Sequence, residues 1–198
     1  PYMFITPEYE KYFQPDTPIK IPARNLMFNG NTSNTIAVFH QTDSSCLRML
    51  DSAYLYDPLL DEGSQRLIPM SDVSRIIPDP EPASPDTDIF GPEPAHTWCY
   101  FFQKADLARQ MKDWNKVIDL YRQAEQLGFT PKYGAEYIPF IEAFAQTSDW
   151  QSAYDLTITA KELSQQQKRM LCANWYRFAE LPSADPRMID RVVQDLPC

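Results

Sequence analysis

Apolar positions recur at intervals of three and four through the second half of the chain. Trp114, Val117, Ile118, Tyr121, Ala124 and Leu127 form one unbroken stripe, the signature of an amphipathic helix with one buried face. Asp113 is placed to cap its start, Gly128 to end it in a left-handed turn, and Pro131 follows just beyond. The same reading predicts a helix from His96 to about Met111 with Phe101, Ala105 and Ala108 inward. A third runs from about Glu136 to Gln146 with Ile138, Ile141, Phe144 and Ala145 inward and Pro139 confined to its first turn. Ser148-Asp149-Trp150-Gln151 has capping-box form and opens a fourth helix to about Ser164. A fifth covers Gln166–Glu180, with Met170, Leu171, Trp175 and Phe178 inward, and a shorter sixth covers Asp185–Asp195. Two of these starts repeat one pattern 36 residues apart: Lys112-Asp113-Trp114-x2-Val117 and Ser148-Asp149-Trp150-x2-Ala153.

The first half has no such period. Residues 1–23 mix aromatics and prolines and read as an irregular arm. Asn25–Asn29 and Thr35–His40 are short apolar runs separated by Gly30-Asn31-Thr32-Ser33-Asn34, which predicts a β-hairpin, and Cys46–Leu50 alternates well enough to add a third strand. In Ser64–Ile77, Leu67, Ile68, Met70 and Val73 suit a helix that Pro69 interrupts. From Pro78 to Ala95 six prolines alternate with acids, and no Lys or Arg occurs from Ile76 through Gln103. That stretch reads as an extended connector without helix, laid over the surface. The expected architecture is α+β: a small antiparallel sheet in residues 1–77, a linker at 78–95 and an antiparallel helical-hairpin array at 96–198.

A repeat of about 34 residues built of helix–turn–helix units resembles the tetratricopeptide family. Ala105 and Ala108 fall at that repeat's small or aromatic positions in the first helix, and Val117, Tyr121 and Ala124 at its Ala, aromatic and Ala positions in the second. Ile141, Phe144, Ala153, Thr157 and Ala160 follow at the same offsets. Val117 and Ile141 are larger than the pattern's usual residues, and the loop before Pro131 is longer. The resemblance implies stacked hairpins that hold a protein or peptide along a groove.

A second resemblance rests on Pro92-Glu93-Pro94-Ala95-His96-Thr97-Trp98-Cys99-Tyr100, then Lys104 to Gln110, Asp113-Trp114, Asn31-Thr32-Ser33 and Cys46-Leu47-Arg48-Met49-Leu50. Together these are similar to the soluble tail of certain large multi-spanning bacterial membrane proteins, some of them glycosyltransferase-like. That resemblance implies a membrane-anchored parent and brings no catalytic residues. The chain begins at Pro1 rather than Met, as a piece of a longer protein would.

Composition narrows the function classes. Residues 1–95 hold 6 Lys/Arg against 14 Asp/Glu and residues 96–198 hold 12 against 13, for a net charge of −9 overall. Such a balance argues against nucleic acid and anionic membrane surfaces as partners. No apolar run approaches the roughly 18–20 residues that span a bilayer. The first segment sets Lys11 and Lys20 against Glu8, Glu10 and Asp16, which for an anchored parent favours the outer side of a bacterial membrane.

No catalytic, cofactor-binding or metal site is assigned. Cys46, Cys99, Cys172 and Cys198 lack metal-ligand spacing and allow three disulfide pairings among which the sequence does not choose; Cys99 and Cys172 read as small buried hydrophobes. His96-x-x-Cys99 lacks a second ligand pair, and neither His40 nor His96 sits in a nucleophile signature. Carboxylate pairs such as Glu136 with Glu142, or Asp61 with Glu62, read as solvated charges. Asn31-Thr32-Ser33 is a glycosylation sequon that matters only in a eukaryotic secretory setting. Tyr100, Phe101, Phe102, Tyr133, Tyr137, Trp150, Trp175 and Tyr176 read as helix-interface fillers, with a sugar-stacking platform as the rival. The expected function is a non-catalytic interaction or scaffolding domain of a membrane-anchored protein; the alternative is a glycan-binding accessory domain of a membrane glycosyltransferase.

Overall fold

The computed structural model describes residues 7–41, 45–78 and 86–198. Its class is α+β, with the helical array in the C-terminal part. Strands β1 (Pro18–Ala23) and β2 (Leu26–Asn31) pair antiparallel, as do β3 (Ala37–Phe39) and β4 (Arg48–Leu50). Helix α1 (Glu62–Leu67) ends at a 3-10 turn through Pro69, and α2 (Thr87–Phe90) is a single turn. Then come α3 (Trp98–Gln110), α4 (Trp114–Gln126), α5 (Ile138–Gln146), α6 (Trp150–Leu163), α7 (Lys168–Phe178) and α8 (Pro186–Asp195).

The six long helices fall as expected because each carries an apolar stripe, and an aspartate side chain caps the start of α4, α6 and α8. Asp113 Oδ1 accepts from Lys116 N at 3.1 Å and Asp149 Oδ1 from Ser152 N at 3.2 Å. The cap of α6 is therefore Asp149, one residue later than the capping-box reading placed it. The two loops before these helices are alike bond for bond. Asp113 N donates to Ala108 O and Asp149 N to Phe144 O, both at 2.9 Å, while Lys112 and Ser148 both take the left-handed conformation at φ 59° and 66°. This is the reciprocal turn that satisfies a helix's last carbonyls. Gly128, at φ 75°, ends α4 the same way, with Phe129 N donating to Ala124 O at 3.0 Å. Pro139 lies in the first turn of α5, where its missing donor costs nothing. Helices α3, α5 and α7, the first of each hairpin, lie side by side.

The strand pairing differs from expectation. Asn25–Asn29 does not pair with Thr35–His40. It pairs backwards with Pro18–Ala23, inside the segment read as an irregular arm, with Ile21 opposite Phe28 and Ala23 opposite Leu26. The five-residue loop is not a hairpin turn because Thr32 is buried in it. Its N–H donates to Thr17 O at 3.0 Å, and Asn31 Oδ1 caps a 3-10 turn by accepting from Ser33 N at 2.8 Å. Thr35–His40 is thereby redirected to β4, so among the described residues there are two ribbons of two strands and not one sheet of three. Along β4 and the residues leading into it, the inward set is Cys46, Arg48 and Leu50, a polar residue among apolar ones.

The connector also departs in one place. Asp86 Oδ1 accepts from Asp88 N at 2.9 Å and Gly91 turns left-handed, so one helical turn forms between Pro85 and Pro92. Residues 79–85 lie outside the described residues. One continuous apolar core runs from Cys46, Leu50 and Tyr54 through all six long helices to Leu196.

Candidate binding cleft and the occupied helix face

The face made by α3, α5 and α7, where a tetratricopeptide-like array would hold its partner, is covered by the chain's own residues from Cys46 to Tyr56. Asp51 caps a 3-10 turn at Ser52–Tyr54, and Ala53 and Tyr54 are fully buried by it. The Tyr54 hydroxyl donates to Asp106 Oδ1 at 2.9 Å on α3, and Asn174 Nδ2 of α7 donates to Ala53 O at 2.8 Å. Between those points a ring of charges closes. Arg109 reaches Asp51 Oδ2 at 2.8 Å, Asp106 Oδ1 at 2.8 Å and Glu142 Oε2 at 3.2 Å; Arg177 donates to Glu142 Oε1 at 2.9 Å and to Asn174 Oδ1 at 3.0 Å. The ring starts at Asp51 and returns at Ala53, so the whole turn is clamped across three helices.

Burial sets the electrostatics there. It pushes the Asp106 carboxyl above its ordinary range by more than the Arg109 charge pulls it down. It pushes the Tyr54 hydroxyl well up, and the Asp106 charge adds to that, keeping the phenol a donor. Burial alone would lower Arg109, but Asp106, Asp51 and Glu142 together hold its guanidinium firmly charged. Removing one member of such a network would strand a buried charge. A second buried pair, Arg48 with Asp57, fixes the same segment from behind, with the Arg48 guanidinium 5.0 Å from the Phe39 ring centre. Burial raises Asp57 there despite the arginine.

These acids correct the reading of paired carboxylates as solvated. Glu136 and Glu142 are both buried, whereas Asp61 and Glu62 are exposed at the start of α1. A signal for the network existed in the sequence: Asp106 and Glu142 stand 36 residues apart, the offset of the two Trp-bearing starts.

The cysteines are also corrected. Cys46 bonds to Cys99 and Cys172 to Cys198, so Cys99 and Cys172 are cross-links and not free hydrophobes. His96 and Cys99 do not converge as ligands. His96 stacks on Tyr100 at 3.5 Å with its Nε2 2.9 Å from Glu93 Oε1. Among the described residues no group of three or more His, Cys, Asp or Glu is arranged to hold a metal. Phe101, Phe102, Tyr137, Trp150 and Trp175 are buried in helix interfaces, Tyr100 and Tyr133 are half-buried, and Tyr176 is exposed.

Beside the Cys46–Cys99 bridge lies a cleft of about 660 Å³. It is lined by Trp98 and Cys99 at the start of α3, by His40, Ser45 and Cys46, and by Phe129, Thr130 and Lys132 after the left-handed turn at Gly128. Glu136 stands behind them with both oxygens engaged, accepting from Cys46 N at 2.9 Å and Lys132 N at 3.1 Å. That carboxylate therefore ties the segment leading into β4 to the loop before α5. The cleft offers aromatic surface and an exposed cation and histidine at its rim, an arrangement suited to holding a ligand.

No protein-family model matches the chain, and neither a curated protein nor a solved structure is significantly similar to it.

Proposed function

We propose that this chain is a non-catalytic interaction domain of a larger, membrane-anchored protein, working on the extracytoplasmic side of a bacterial membrane. The observation that carries the reading is the occupied helix face. The array already holds one of its own segments, residues 46–56, which runs through β4 into a 3-10 turn, in the manner of a peptide-binding array. Its charge ring and disulfide turn the assembly into a rigid platform whose open cleft lies at the rim between Trp98, Phe129 and Lys132. A protein or peptide partner, or the rest of the parent chain, takes that rim cleft. Both disulfides support the compartment, since such bonds persist in oxidising surroundings.

The glycan-binding alternative draws on one specific observation: Trp98 and Phe129 line the same cleft as His40 and Lys132. A photo-crosslinking residue at Thr130, compared with one at Asp119 on α4, separates the two. Cross-links to one protein from Thr130 alone, lost in Phe129→Glu, support the protein-partner reading. Oligosaccharide binding that perturbs the Trp98 indole NMR signal supports the glycan reading. Equal labelling from both positions, with no sugar-dependent shift, defeats both.

A further inference from the structure

Between Thr17 and Gln41 only Lys20 and Arg24 carry a full charge, both positive, in a chain of net charge −9. Both belong to the β1–β2 ribbon, which is held at its base. Thr17 N donates to Thr32 Oγ1 at 2.9 Å, and Ser33 Oγ donates to Asp16 Oδ1 at 2.8 Å. From Lys20 to Asn29 every residue is exposed. The register places Ile19, Ile21, Ala23, Leu26 and Phe28 on one face, and Gly30 leaves the space in which the Phe28 ring lies; a side chain there would begin 2.7 Å from it. Leu26 is 77% exposed and Phe28 55%. A lone two-stranded ribbon is marginal in water, and a bare apolar face of this kind marks a docking surface.

The ribbon's edges do not invite another strand. Pro18 and Pro22 remove outward donors from β1, and the Asn29 side chain donates to Met27 O at 3.4 Å on β2. Face-to-face pairing of two copies would cover the apolar face but offer no anion to Lys20, which the register places on the opposite face with Asn29. A surface that is apolar beneath and anionic above fits both features at once. We propose that the β1–β2 ribbon docks on the interface of an anionic lipid bilayer, with Ile21, Leu26 and Phe28 entering the acyl boundary and Lys20 and Arg24 meeting headgroup phosphates. The six-residue strands carry the tip roughly 20 Å beyond their base. That is more than two Debye lengths at physiological salt, so the acidic remainder of the chain is screened from the lipid.

The test is flotation of the 198-residue chain with vesicles of phosphatidylcholine alone and of equal phosphatidylcholine and phosphatidylglycerol. The chain floats with the mixed vesicles and more weakly with the neutral ones. Leu26→Ser with Phe28→Ser lowers partition onto both by roughly a hundredfold, since each side chain contributes about tenfold when it enters an apolar phase. Lys20→Gln with Arg24→Gln lowers it roughly twenty-five-fold on mixed vesicles only, at about fivefold per cation. These side chains are exposed, so circular dichroism of the variants stays that of the parent. Absence of flotation, or equal flotation of parent and Leu26→Ser/Phe28→Ser, overturns the proposal. Self-association that this pair of substitutions abolishes, without flotation, overturns it as well and gives the face to a second copy.

Discussion

Trp114 and Trp150 occupy the same place in successive hairpins, the first residue of α4 and of α6, behind loops with the same hydrogen bonds. Their surroundings differ. Trp150 is buried, donates its indole N–H to Ser183 O at 3.0 Å and has its ring 6.0 Å from that of Trp175, whereas Trp114 is half-buried. Trp150→Ala should therefore cost about 3–5 kcal/mol in urea unfolding and Trp114→Ala about half of that. Equal costs would show that the later hairpin does not cover Trp150 as described. The shared position was legible because both follow a capping Asp at one offset. The difference in burial was not, since it depends on what comes after α6. Asp106 supports a pH test. Its native pKa is raised, so above the usual 3.8 the folded chain keeps a proton that the unfolded chain has released, and its contribution to stability falls as pH rises. The stability advantage of the parent over Asp106→Asn should shrink from about pH 4 upward in urea titrations. An advantage that grows with pH would mean that Arg109 dominates and that Asp106 is a depressed, charge-paired carboxylate.

Among elements, helices were readable, and of the strands three runs were readable but not their pairing, for a physical reason. A helix encloses its own hydrogen bonds, so the stripe Trp114 to Leu127 and its caps are local facts. The partner of Leu26–Asn31 is decided by Thr32, whose buried hydroxyl and amide tie it to Thr17, and nothing in the apolar runs reports that. Cys46 and Cys99 are likewise joined by folding over 53 residues of sequence, which spacing cannot reveal. This bridge fastens the segment leading into β4 to the first turn of α3. Replacing both cysteines by Ala should lower stability by about 2–4 kcal/mol, read as a shift in the urea midpoint, while helical circular dichroism persists. An unchanged midpoint would mean that the charge ring alone suffices to hold the segment.

At the scale of the whole molecule, the array's inner face and its occupant come from one chain. The sequence showed the stacked hairpins but not that residues 46–56 would lie on them, because Asp51, Asp106 and Glu142 look like ordinary surface acids until three helices meet around Arg109 and Arg177. With that face closed, the partner proposed above is expected at the rim cleft beside Cys46–Cys99. Amide hydrogen exchange tests this closure most directly. The Tyr54 N–H bonds to Asp51 O at 3.0 Å and the Asp57 N–H to Tyr54 O at 3.0 Å, both in the clamped segment. These amides should exchange as slowly as those of α3, α5 and α7, in the same cooperative class. Exchange at the rate of exposed loops, with the helices still protected, would mean that the segment lifts off and leaves the inner face free for a partner.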